Sequence, residues 1–158
     1  MTLLKPLYAL AIALLVVAFV GFGISAFYPE PEYPRHPPEL EFSGPNDEPT
    51  KEEKRLMAEQ RQKEEAYQRE ISDYNKVVSS IVIGVAVLLL VGSLLWISKL
   101  PVIGDGTTLG AVFTLFYGLI RAFMTNDEQF RFIAVAMGLM VLIVLVYWKF
   151  SRSPALRK

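Results

Sequence analysis

The sequence predicts an all-α membrane protein: four transmembrane helices, with a polyproline-II/α-helix hairpin between helices 1 and 2. Three observations predict it. Hydrophobic residues make up 53% of the 158-residue chain and fall into four blocks, with the charge gathered between them. That is the pattern of membrane segments rather than of one soluble core. Each block is close to the roughly 20 residues that a helix needs to cross about 30 Å of hydrocarbon. Between the first two blocks, Pro31, Pro34 and Pro37 recur at every third position, and a long charged stretch follows.

The first span covers residues 6–27, with Pro6 suited to a first helical turn. A cleaved signal peptide competes with it, since Lys5 precedes the apolar run and Ile24-Ser25-Ala26 is a passable cleavage site. The run is longer than the about 7–15 residues of a signal core, so a retained helix is expected. The second span covers 77–98, the third 104–124 and the fourth 130–150, followed by a basic tail, 151–158. None carries a charge near its centre, which removes the usual sign of an ion or proton path. Lys5 and the tail residues Lys149, Arg152, Arg157 and Lys158 favour two cytoplasmic termini, with the hairpin 28–76 outside. The eight Lys/Arg of residues 28–76 pull the other way, but most lie far from the first span.

Residues 28–50 form the extended part of the hairpin and hold seven of the ten prolines. Residues 51–76 change character. Thr50 with Glu53 makes a capping box after Pro49, and Glu59–Lys63 and Glu65–Arg69 make i,i+4 pairs. No Gly or Pro occurs from Thr50 to Ile83. One helix is therefore expected from about Lys51 to Trp96, its outer part projecting about 39 Å at the usual rise.

A polyproline-II helix repeats every three residues, so Pro31, Pro34 and Pro37 share one edge at about 9 Å intervals. Tyr67 and Tyr74 share a face of the helix, roughly 10.5 Å apart. The spacings match. The proline edge is expected to interleave with Tyr74, Tyr67 and the aliphatic part of Lys63, while Leu40 and Phe42 cover Leu56 near the tip. In outline this resembles the pancreatic-polypeptide hairpin, a proline helix against an α-helix with tyrosines between; the likeness implies a packing mode and no relationship. Composition alone supports a second reading, a solvated linker and a lone charged helix. A two-element hairpin buries little, so assembly with a partner or with further copies is expected.

In the third span Gly106, Gly110, Thr114 and Gly118 recur every four residues, a small-residue ladder that lets another helix approach closely. Ser80 and Gly84 offer the same in the second span, Ala134 and Gly138 in the fourth. Packing within one chain is the plain reading, because short connections juxtapose spans two to four; packing between copies is the sharper one. Thr107, Thr114 and Arg121 make another stripe, which could line a water-filled path if copies surround an axis. Threonines more often bond back to their own helix, and a terminal arginine snorkels to the interface. Asp105 is expected to cap the third span, and Thr125 with Glu128 to form a capping box for the fourth.

Reaction chemistry has no visible carrier. There is no cysteine, hence no disulfide framework, thiolate metal site or cysteine nucleophile. His36 is the single histidine. No phosphate loop, nucleophile elbow, HExxH or dinucleotide fingerprint occurs. The formal charge of zero excludes a basic nucleic-acid footprint. An enzyme, a metal and a cofactor are not expected; the lipid bilayer, further copies of the chain or a membrane-protein partner are. Four spans with a large first loop resemble the layout of tetraspanins, claudins and gap-junction proteins. Those families depend on loop cysteines that this chain lacks, so the similarity stops at topology. The expected role is a structural or accessory subunit assembling through its hairpin and seams. The alternative is an oligomeric channel or transporter with a path beside the third span.

Overall fold

The computed structural model describes residues 4–34, 51–96 and 101–151. Pro37, Leu40 and Phe42 of the expected hairpin, and His36, lie outside the described residues. Among the described residues four helices follow in order: α1 (Leu4–Phe27), α2 (Lys51–Trp96), α3 (Pro101–Phe123) and α4 (Glu128–Ser151). All four are long and apolar enough to cross a membrane.

Pro6 lies in the first turn of α1, and Pro101 opens α3, where its missing N–H leaves no hydrogen bond unmade. Because α3 starts at Pro101, Asp105 sits inside the helix and does not cap it. The expected capping box before α4 is also overturned. Asp127 is the cap: its Oδ1 accepts the Phe130 N–H at 3.0 Å, and its carbonyl accepts the Arg131 N–H at 3.1 Å. Thr125 is fully buried, and its hydroxyl donates to the Ala122 carbonyl at 2.8 Å. The tight turn uses Thr125 to finish α3, which leaves the residue next to α4 to start it.

α3 lies between its neighbours. In its apolar window 44% of residues are buried, against 11% for α1 and for α4. α1 runs alongside α3 in the same direction. A Cβ added at Gly106 would come within 2.9 Å of Ile12 Cβ and 3.0 Å of the Ala9 carbonyl oxygen. One added at Gly110 would come within 3.0 Å of Val16 Cβ and 3.2 Å of Ala13 Cα. Ala9 and Ala13 thus answer Gly106 and Gly110 with their own small pair. α2 runs antiparallel on another side, where Val82 and Ile83 press on Gly118, each at 3.0 Å from an added Cβ.

The ladder expected to form one seam therefore serves two helices. A period of four in a helix of 3.6 residues per turn drifts by about 40° per step. From Gly106 to Gly118 the row turns by about 120°, from α1 towards α2. Buried hydroxyls hold the α2 side: Ser79 donates to the Gly118 carbonyl at 2.8 Å, and Thr108 to Ser93 Oγ at 3.0 Å. Such bonds between apolar helices contribute about 0.6 kcal/mol each.

Ser80 and Gly84 do not join this contact. Ser80 is exposed and donates to its own helix at the Lys76 carbonyl, and a Cβ at Gly84 meets nothing within 4 Å. The face that α2 turns to α3 is Ser79, Val82, Ile83 and Ala86, all buried. On α4, Ala134 is buried and Gly138 faces Leu119 of α3.

Residues 28–34 leave α1 without regular secondary structure and run back along α2. Tyr28 stacks on Tyr74 with ring centroids 5.2 Å apart, and Tyr33 meets Tyr67 edge-on at 5.1 Å. The Tyr74 hydroxyl donates to the Tyr28 carbonyl at 3.2 Å. Ring-on-ring contacts carry this pairing, with Pro31 and Pro34 half-buried beside them. Further out, Leu56 is half-buried and Lys63 exposed.

Gly106→Val should lower the unfolding free energy by about 1–3 kcal/mol, the usual cost of overpacking. Gly84→Ala should leave it unchanged or raise it, since the site is open and Ala favours helix. Denaturation of both variants in one mild detergent checks the contrast.

Candidate functional site at the foot of the charged helix

Where α1 and α3 end and α2 passes from the charged rod into the bundle, polar residues converge on Arg121. Its position follows from depth: Arg121 lies in the last turn of α3, and Asn75 lies just before the apolar part of the antiparallel α2. Arg121 Nη1 donates to Asn75 Oδ1 at 3.0 Å, and Nε to the Tyr117 hydroxyl at 3.3 Å. Its Nη2 lies 3.6 Å from Glu30 Oε2. The guanidinium also stands over the rings of Tyr74 and Tyr117, 5.6 and 5.8 Å from their centroids. Three elements are thus tied by one side chain that is only 19% exposed. A planar fork with donors on both edges can do this; a lysine ammonium cannot reach the same set.

The turn between α3 and α4 docks beside it. Asn126 N–H donates to Ser72 Oγ at 3.0 Å, and Lys76 Nζ lies 3.1 Å from Asp127 Oδ2 and 3.6 Å from Asp73 Oδ1. Arg131 of α4 donates from Nε to the Thr125 carbonyl at 2.8 Å, with Nη2 on the same oxygen. The Asp127 carboxyl is held below the usual carboxylate range, first by the Phe130 N–H and then by the Lys76 ammonium. Lys76 is held above the usual lysine value, chiefly by its hydrogen bond to Asp127.

The residues singled out in the sequence are distributed as follows. Gly106, Gly110, Thr114 and Gly118 are all buried inside the chain. Thr114 donates to the Gly110 carbonyl at 2.8 Å and is fully enclosed. Thr107 is half-buried, and Arg121 joins the cluster just described. The stripe Thr107, Thr114, Arg121 therefore has its middle member inside the bundle. Tyr74 is both a strap contact and a wall of the arginine cluster. Asn75, Glu30, Ala9 and Ala13 were not picked out. Matching polar residues by their depth from the span ends would have paired Asn75 with Arg121.

The cluster offers a fixed cation, hydrogen-bond acceptors and aromatic faces, an arrangement that fastens elements and attracts anions. Among the described residues no group of three or more His, Asp or Glu is placed to hold a metal ion. No protein-family model matches the chain, and no curated protein or solved structure matches it.

Two outcomes follow for this cluster. Arg121→Lys should destabilise the chain by about 1.5–3 kcal/mol, the scale of hydrogen bonds to a charged group. Amide exchange of residues 28–34 should quicken with it. The Lys76–Asp127 link has a pH window. Asp127, with its folded value lowered, stabilises above the ordinary carboxylate range and loses this as pH falls through the folded value. Lys76, with its folded value raised, stabilises below the ordinary lysine value and loses this as pH rises through the folded value. Asp127→Asn keeps a capping side chain. Its stability deficit against the parent should be present at neutral pH and close in acid, as read by unfolding at several pH values.

Proposed function

We propose that this is a small integral membrane protein serving as a structural or accessory subunit, without catalytic function. It assembles with further copies or with a membrane-protein partner through the outward part of α2 and the strap beside it. The observation that carries this reading is what remains unoccupied. The glycine contacts of α3 are taken up by α1 and α2 within one chain, whereas α2 continues beyond the bundle as a charged rod. From Lys51 to Glu70 most of its residues are exposed. A rod of this kind, projecting about 39 Å at 1.5 Å per residue, presents a shaped and stiff surface to another molecule. The lipid bilayer surrounds the exposed apolar faces of α1 and α4, such as Leu15, Phe19, Leu139 and Ile143. Both termini lie on the cytoplasmic side and residues 28–76 outside, following the bias of Lys5 and the basic tail.

The alternative, an oligomeric channel or transporter with a path beside α3, is the weaker reading. Thr114 turns its hydroxyl to its own helix, and Arg121 is held inside the bundle by hydrogen bonds to Asn75 and Tyr117.

Full-length protein purified in several mild detergents and in lipid nanodiscs should run as one defined oligomer, or carry one stoichiometric partner. Reversing the exposed charges Glu59, Lys63 and Glu65 should disperse that complex while leaving the helix content unchanged. A monodisperse monomer in every medium, with no partner recovered, would overturn the proposal.

A further inference from the structure

Below Arg121, on the side of the bundle formed by α1 and α3, lies an open groove of about 410 Å³. It is lined by Val17, Ala18, Gly21, Phe22 and Ser25 of α1 and by Tyr117 of α3. From Val17 to Ser25 it follows α1 for about 12 Å at the helical rise. The lining is apolar along its length and turns polar only at the end nearest the rod. There Ser25 and the Tyr117 hydroxyl lie, and that hydroxyl accepts from Arg121 at 3.3 Å. Tyr117 joins the two: its ring walls the groove, and its hydroxyl ties the groove's mouth to a guanidinium. Arg121 belongs to the next turn of α3, one step closer to the rod.

An apolar slot about two turns long, with a partly exposed cation one helical turn beyond its polar end, has the shape and charge of an anionic phospholipid site. A guanidinium between helices at headgroup level can take such a lipid's phosphate through charge-assisted hydrogen bonds. The three contacts of Arg121 show which place the phosphate would take. Those to Asn75 and Tyr117 are hydrogen bonds of 3.0 and 3.3 Å within the bundle. That to Glu30 is longer, 3.6 Å, and comes from a side chain that is 52% exposed on the strap. Glu30 is the replaceable anion.

We propose that the groove between α1 and α3 binds one acyl chain of an anionic phospholipid from the leaflet on the rod side, with its phosphate on Arg121 in place of Glu30. The strap carboxylate and the lipid phosphate then compete for one cation, so lipid binding loosens Glu30 from the foot of the rod. Gly21 gives the chain its room: a Cβ added there meets nothing within 4 Å.

The test uses the full-length protein in detergent, titrated with dioleoyl phosphatidylglycerol or dioleoyl phosphatidylcholine and read by native mass spectrometry. The two lipids share their acyl chains and differ in net charge. Phosphatidylglycerol should bind about tenfold more tightly: both lipids carry the phosphate, but the choline ammonium of phosphatidylcholine offsets its charge beside the Arg121 guanidinium. Arg121→Gln should erase that preference. Glu30→Gln, which removes the competitor, should strengthen phosphatidylglycerol binding by more than phosphatidylcholine binding. Gly21→Leu, which fills the slot without crowding α3, should weaken phosphatidylglycerol binding by a similar factor. Soluble glycerol phosphate should not compete at matched concentration, since it lacks the chain. Equal binding of the two lipids to the parent protein overturns the proposal, and so does undiminished phosphatidylglycerol binding by Gly21→Leu. Should Arg121→Gln fail to fold, the Glu30→Gln and Gly21→Leu arms decide by themselves.

Discussion

Where Gly106 and Gly110 face α1, the backbone of α3 has no side chain to hold its neighbour away, and the layout of the molecule rests on that closeness. Between helices bathed in hydrocarbon, burial of apolar groups supplies little net attraction, so close van der Waals packing must do more. Ala9 and Ala13 on the facing side of α1 let both backbones approach together. Once α1 is seated against α3, the point where the chain leaves it is fixed. Tyr28 emerges beside Tyr74 and Glu30 beside Arg121. The register of the strap on the rod is therefore set from below, inside the bundle, before any contact further out is made.

Arg121 then converts placement into attachment. A cation at the end of an apolar helix ordinarily extends to water. Here Asn75 and Tyr117 satisfy its inner donors, and two tyrosine rings cover its faces. The remaining edge is left for a single anion. A second ion pair, Lys76 with Asp127, fastens the α3–α4 turn to the same stretch of α2. Arg121 and Asp127 lie at helix ends and Lys76 lies just before the apolar part of α2, so neither pair puts a charge deep in the apolar zone.

Much of the helical layout was legible. Four apolar blocks announced four helices, and the lack of Gly or Pro from Thr50 to Ile83 announced that the charged stretch and the second block form one helix. Cap positions were misplaced where turns competed for the same side chain: Thr125 served the end of α3, and Asp127 took over the start of α4. Ser80 and Gly84, noted as a small pair on the second span, lie off the α3 contact, and Ser79 makes it instead. A small-residue row marks where approach is allowed, and the buried face is decided by the whole set Ser79, Val82, Ile83 and Ala86. The drift of Gly106–Gly118 from one partner helix to another was implicit in 3.6 residues per turn, but which helix each end would meet was not. Arg121 was found for its spacing to Thr114, whereas its true neighbours, Asn75 and Glu30, lie far away in sequence and carry no local signal.

The rod itself illustrates how the apolar and charged parts of the chain support each other. A charged peptide of that length is marginally helical in water, because the first turn fixes several residues for a single hydrogen bond. In α2 that step is already taken inside the bundle, where Ser79, Val82 and Ile83 pack on α3. The outer part only propagates, and each added residue gains a bond without a new nucleus. Exposed pairs such as Arg55 with Glu59, 3.3 Å apart, add a few tenths of a kcal/mol at most. Tyr67 and Tyr74 contribute more per residue, since each binds a ring from the strap. Helicity is therefore expected to be firmest at the foot and to decline towards Lys51. A partner that covers the tip would meet the part of the rod with the most order left to gain, and binding there would stiffen the helix down to the arginine cluster.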